Sequence, residues 1–139
     1  MKFEDMDVWK YSSRLATDIL KMTENMRHFG FRDQITRSSL SVPSNISEGS
    51  ERSSTKELLQ FLSYAKGSCG ELRTQLYIGM EAGLLNREQT KNHLETTRRI
   101  SAMLHSLIHS IRKRLQDKKT RWNRENKNRE EDKKSEEGE

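Results

Sequence analysis

STKELLQFLSYAKGSCGELRTQLYIGMEAGLLN, residues 54–86, is the stretch from which the fold can be read. Ser54 and Glu57 stand three apart ahead of an apolar run, the pattern of a capping box that opens a helix. Leu58, Leu62, Ala65, Cys69, Leu72, Leu76 and Gly79 then follow at alternating spacings of 4 and 3, one face of a helix. The seam alternates large with small side chains, as close packing against a second helix requires. Gly83 fits a C′ glycine, with Leu84 after it to supply the hydrophobic contact. GSCGE, Gly67 to Glu71, lies inside this helix and is therefore no phosphate loop; its glycines instead allow close helix approach.

Working outward, Asn86 with Gln89 caps a second long helix. Its seam is Leu94, Thr97, Ser101, Leu104, Ile108, Ile111 and Leu115, again at spacings of 3 and 4. Residues 54–82 and 86–115 span about 43 and about 45 Å. Two helices of matched length across a short turn form an antiparallel hairpin. Met103, Ile100, Leu107, Ile111, Leu104 and Ile108 cover an arc of roughly 140° at 100° per residue. An arc that wide fits a broad core face, or a core face with a subunit contact beside it.

Upstream, Val8, Tyr11, Leu15, Ile19, Met22, Met26 and Phe29 predict a first helix from about Asp7 to His28. Asp5 or Asp7 serves its N-terminus, and Gly30 stops it. The segment from Phe31 to Gly49 has helical periodicity, but Pro43 removes an N–H and crowds the carbonyl four residues back. Taken alone, it breaks near Leu40. Serines at 38, 41, 44, 47, 50 and 53 are either a loop or a ridge of small side chains that admits a neighbouring helix. The sum is an all-α, antiparallel up-down four-helix bundle over residues 1–116.

Residues 117–139 differ in kind. They carry eight Lys/Arg, eight Asp/Glu and Trp122 as the only hydrophobic residue, too little to offset chain entropy. This charged tail is expected to be disordered or a frayed helical extension. The net charge of +5 therefore sits in the bundle. No window approaches the ~20 apolar residues of a membrane span. The N-terminus lacks an apolar h-region, so the expected compartment is the cytoplasm. A single cysteine excludes a disulfide framework, and Cys69 on the apolar seam is expected to be a buried, inert thiol.

Candidate chemistry is sparse. His105 and His109 share a helix face but belong to no HExxH, and Arg98 and Arg112 on that face disfavour a metal. No metal, cofactor or catalytic residue is expected. Arg37, Glu48 and Glu71 lie beside apolar seams, as an acid/base pair, an anion site or, more simply, a polar layer that fixes helix register, for example an Arg37–Glu71 pair. Two basic stripes remain as nucleic-acid contacts: Lys10, Arg14 and Lys21 on the first helix, and Arg98, Arg99, Arg112 and Lys113 on the last. The bland alternative is a solvated helix surface. Trp122, among the basic residues of the tail, can stack on a base.

FEDMDVWK, QITRSSLSVPSNISEGSERSSTKELLQFLSYAKGSCGELRTQL and EAGLLNREQ together resemble the four-helix-bundle family encoded in intervening sequences of bacterial 23S rRNA genes. The resemblance covers residues 3–115. Relatives usually have alanine where Ser39 and Ser47 stand. It implies a second helix that runs, kinked, through Pro43, and assembly into a ring-shaped homopentamer. The family is also similar to the accessory variability proteins of diversity-generating retroelements, basic pentamers that bind nucleic acid and a reverse transcriptase. The resemblance brings no catalytic residues, and with the basic faces the expectation is a non-enzymatic bundle that binds RNA or DNA; the alternative is a protein-interaction scaffold, such as a partner of a reverse transcriptase.

Overall fold

The computed structural model describes residues 2–138. A 3-10 turn at Phe3–Asp5 leads into four helices: α1 Asp7–Thr23, α2 Phe29–Ser50, α3 Thr55–Glu81 and α4 Arg87–Glu137. Each helix packs on its sequence neighbours and α1 closes on α4, while the diagonal pairs do not meet. This is the up-down bundle that the periodicities predict.

The α3–α4 hairpin matches the reading of residues 54–86 closely. The Ser54 side chain accepts from Glu57 N at 3.1 Å, and Asn86 Oδ1 accepts from Gln89 N at 2.9 Å. Gly83 adopts φ 75°, a conformation that favours glycine. Leu84 N and Leu85 N both return to Gly79 O. The apolar contact after the turn is Leu85, which is buried, rather than Leu84, which is exposed. The wide apolar arc of α4 is core face: Ile100, Leu104, Ile108 and Ile111 are buried, and half-buried Met103 and Leu107 pack against them.

α1 is shorter than its stripe. It ends at Thr23, whose Oγ1 donates back to Ile19 O at 2.8 Å. His28 then caps α2, its Nδ1 accepting from Phe31 N at 3.4 Å. Phe29 and Gly30 thus open α2 instead of closing α1. At the other end, Met6 is the N-cap and Asp7 lies in the first turn, where its charge opposes the helix dipole.

α2 runs unbroken through Pro43, which is buried. The break near Leu40 does not occur. Side chains brace the helix on either side of the proline: Ser39 Oγ donates to Thr36 O at 2.9 Å, and Asn45 Nδ2 donates to Ser41 O at 2.8 Å. Of the six serines, Ser41 meets the neighbouring helix. Ser41 Oγ lies 2.8 Å from Ser68 Oγ of α3, a contact only small residues permit. Gly49 extends the same approach: a Cβ there would stand 2.8 Å from Phe61 Cβ.

α4 does not stop with the core. Ile111 is its last buried residue, yet the helix continues to Glu137. Over the described residues the charged tail is a helical extension of α4. Between Gly83 and Gly138 the chain contains no Gly or Pro, and Asp117/Arg121, Glu125/Arg129 and Glu130/Lys134 are spaced as favourable i,i+4 pairs. Residues 117–137 add about 31 Å of helix. All are exposed except half-buried Asn126, and Trp122 is 63% exposed.

Candidate nucleic-acid interface

The surface strip that carries charge of one sign is on α4. From Thr96 to Gln116 it holds Arg98, Arg99, Arg112, Lys113, Arg114 and two histidines, without one Asp or Glu. Successive residues of a helix point about 100° apart, so the strip divides between the two neighbours of α4.

Toward α1, the Arg99 guanidinium lies 5.7 Å over the Tyr11 ring, whose chain neighbours include Lys10. Arg98 turns to the other side, where it donates to Tyr77 Oη of α3 and pairs with Glu95. Arg112 lines a groove between α3 and α4, and Lys113 is exposed beside it. Lys10 and Arg14 are exposed on α1. Lys21 faces a further groove of α1 and α4 with Asp18, Gln89, Asn92 and His93. Of the α4 stripe, Arg99 thus lies against α1 at Tyr11, the residue after Lys10. Arg112 and Lys113 stand about 20 Å farther along α4.

Arg98 and Arg99 are partly spent on these intrachain contacts. Among the described residues the ion pairs are Arg52–Glu48, Arg87–Glu81 and Arg98–Glu95. Lys10, Arg14, Lys21, Arg112 and Lys113 take part in none of them.

The polar layer expected from Arg37, Glu48 and Glu71 is not where the structure puts polar contacts. All three are exposed, and Glu48 pairs with Arg52 on the surface at 2.5 Å. The interhelical polar cluster belongs to Arg73. Its Nε donates to Thr97 Oγ1 at 3.1 Å, and its Nη2 donates to Thr97 O at 3.3 Å and Ser101 Oγ at 2.6 Å. Cys69 is fully buried and donates to the same Thr97 carbonyl at 3.3 Å. Burial pushes its thiol pKa up, against smaller lowering effects of Ser101 and Arg73, so the thiolate is disfavoured. His93 is held below the ordinary imidazole range by burial, with Asp18 opposing.

Two residues that sequence reading passed over complete the α4 surface. Lys66 Nζ lies 3.1 Å from His105 Nδ1, and Tyr77 meets Arg98. Among the described residues no His, Cys, Asp or Glu cluster of three or more is placed to hold a metal ion.

The architecture is a four-helix bundle with open interhelical grooves and a basic outer strip. The chain belongs to the 23S rRNA-intervening sequence protein family, whose match spans residues 4–106. It is similar in fold to a solved protein of unknown function from the S23 ribosomal protein family of Bacteroides thetaiotaomicron VPI-5482. That match has a TM-score of 0.69 at 24% identity and covers 73% of this chain and 97% of the other. No curated protein matches. Among the described residues, no helix is long and apolar enough to cross a membrane.

Proposed function

We propose that this protein is a non-enzymatic, cytoplasmic helical bundle that assembles into a ring, taken as a homopentamer, and binds the backbone of RNA or DNA through the basic faces of α4 and α1. The observation that carries this reading is the run of α4 from Thr96 to Gln116, which holds five Lys/Arg near its two ends and no carboxylate. A ring repeats that strip around one axis, and multivalent phosphate contact follows from the repetition. The strip has no tryptophan, tyrosine or phenylalanine, so binding is weakly selective for sequence and strongly dependent on salt. Trp122 adds an optional stacking contact.

Arg112→Glu with Lys113→Glu tests the reading, because neither residue supports the fold through an ion pair. The double variant weakens binding to RNA and DNA alike and flattens the slope of log affinity against log salt. Absence of any gel shift with RNA or DNA at low salt refutes the reading, as does binding that ignores salt. Exposed Leu40, Tyr64 and Ile78 on α2 and α3 supply apolar surface for subunit contacts. Light scattering with size exclusion then gives a mass near five chains; a monomer at micromolar concentration refutes the ring.

The freestanding part of α4 favours a second reading, an accessory subunit that docks on a protein such as a reverse transcriptase. Residues 117–129 hold six basic and two acidic residues, and residues 130–139 hold two basic and six acidic. Such a polarised helix suits a complementary protein surface. Loss of partner binding on truncation after Gln116, with nucleic-acid binding retained, separates the two readings.

A further inference from the structure

We propose that the groove between α3 and α4 bounded by Lys66, His105, His109 and Arg112 binds a phosphoryl group. The identity of that phosphoryl group as one unit of a nucleic-acid backbone rests on the function proposed above; the site itself rests on the groove.

The groove has a volume of about 500 Å³. His105, His109 and Arg112 succeed one another at spacings of 4 and 3, so α4 presents them on one face. Lys66 reaches them from α3. No carboxylate lines the groove. The facing segments, residues 58–70 of α3 and 96–116 of α4, contain no Asp or Glu at all. The nearest acids along these helices are Glu57, Glu71, Glu95 and Asp117, all outside the lining.

The 3.1 Å contact between Lys66 Nζ and His105 Nδ1 has a specific chemical meaning. An ammonium can only donate, so Nδ1 is the acceptor in this contact and Nε2 is left to face a ligand. An oxyanion in the groove can accept from the Lys66 ammonium and from the imidazole N–H. A tetrahedral phosphoryl group offers several acceptor oxygens, and Arg112 provides a planar fork suited to two of them.

Gly67 leaves the wall open. A Cβ there would meet no atom within 4 Å, so backbone rather than a side chain borders the groove at that point. A bulky anion can thus approach the α3 surface between Lys66 and the imidazoles.

The experiment follows the histidine imidazole signals by NMR in the full chain. It uses two probes, inorganic phosphate and a single-stranded oligouridylate, at one pH and low, fixed ionic strength. Both probes are expected to shift the His105 and His109 signals while leaving His28 and His93 in place. Affinity for the oligouridylate is expected to fall by about tenfold in Lys66→Gln and in Arg112→Gln, the loss of one charge-assisted contact each. His105→Gln with His109→Gln should weaken it as well. His93→Gln, outside the groove, should leave binding unchanged.

If the oligouridylate binds with salt dependence but the two signals stay still, the site is overturned and the nucleic-acid function survives. If phosphate shifts them and the oligouridylate does not bind, the anion site stands and its nucleic-acid source is overturned. Failure of both probes overturns both.

Discussion

Gly49→Ala tests how tightly α2 is seated on α3. The new Cβ would lie 2.8 Å from Phe61 Cβ and 3.3 Å from the Leu58 carbonyl oxygen. Carbon pairs prefer about 3.5–4.0 Å, so α2 must retreat by roughly 0.7–1.2 Å. Phe61 Cβ is fixed to its backbone, and no change of rotamer relieves the clash. A gap of about 0.5–1 Å forfeits a quarter to a half of each contact's attraction along the seam. The expected cost is about 1–3 kcal/mol, the range for overpacked cores. Gly70→Ala is the matched control: its Cβ meets no atom within 4 Å, and it gains up to about 1 kcal/mol of helix propensity. Urea unfolding followed by circular dichroism at 222 nm should give midpoints that move in opposite directions, with m unchanged. If Gly49→Ala is as stable as the parent, the close approach of α2 and α3 is wrong. If Gly70→Ala destabilises the assembled protein, that face of α3 is buried between subunits.

Truncation after Gln116 should leave the melting transition in place and reduce only the total helical signal, because residues 117–137 bury almost nothing; a large fall in melting temperature would show that the extension packs on another chain. Arg73→Met should cost about 1–3 kcal/mol in urea unfolding, since Thr97 Oγ1 and Ser101 Oγ lose a charged donor; an unchanged midpoint would show the cluster to be incidental. Cys69→Ser should be mild, because a hydroxyl can still donate to Thr97 O, and nucleic-acid binding should be unaffected in the folded variant. His93 makes stability pH-dependent. Its pKa is lowered in the folded state, so the unfolded chain takes up the proton first as pH falls below about 6.5. Stability therefore declines from pH 7 toward pH 5, and His93→Gln should flatten that slope; an identical slope in the variant would assign it to other groups.

The hairpin was legible because its signals are local. The Ser54 and Asn86 caps, the Gly83 turn and the alternating 3 and 4 spacings each act within a turn or two of helix, and no tertiary contact overrides them. The ends of α1 and α2 were less so. Periodicity carries the α1 stripe on to Phe29, but Thr23 bonds back to Ile19 and His28 supplies a cap, and an apolar stripe shows neither. Pro43 misled in the other direction. Its local penalty is real, yet buried packing against α3, with Ser41 against Ser68 and Gly49 against Phe61, keeps the helix whole.

The candidate site was legible only in part, for a geometric reason. A stripe such as His105, His109 and Arg112 is visible along one helix, but Lys66 lies 39 residues away from His105. Only the register of the hairpin brings them together. That register was within reach: a turn centred between Gly83 and Leu85 places Lys66 opposite a residue near Ala102 or Met103, about half a turn from His105. The same construction sets Arg73 opposite Glu95 or Thr96, next to Thr97 and about a turn and a half short of Ser101, whereas an Arg37–Glu71 pair would join α2 and α3, outside this hairpin. Polar residues beside an apolar stripe thus become informative once the turn fixes which of them face each other. In this bundle that rule separates Arg73, which joins two helices, from Lys66, whose charge is held at an open groove with no carboxylate to neutralise it.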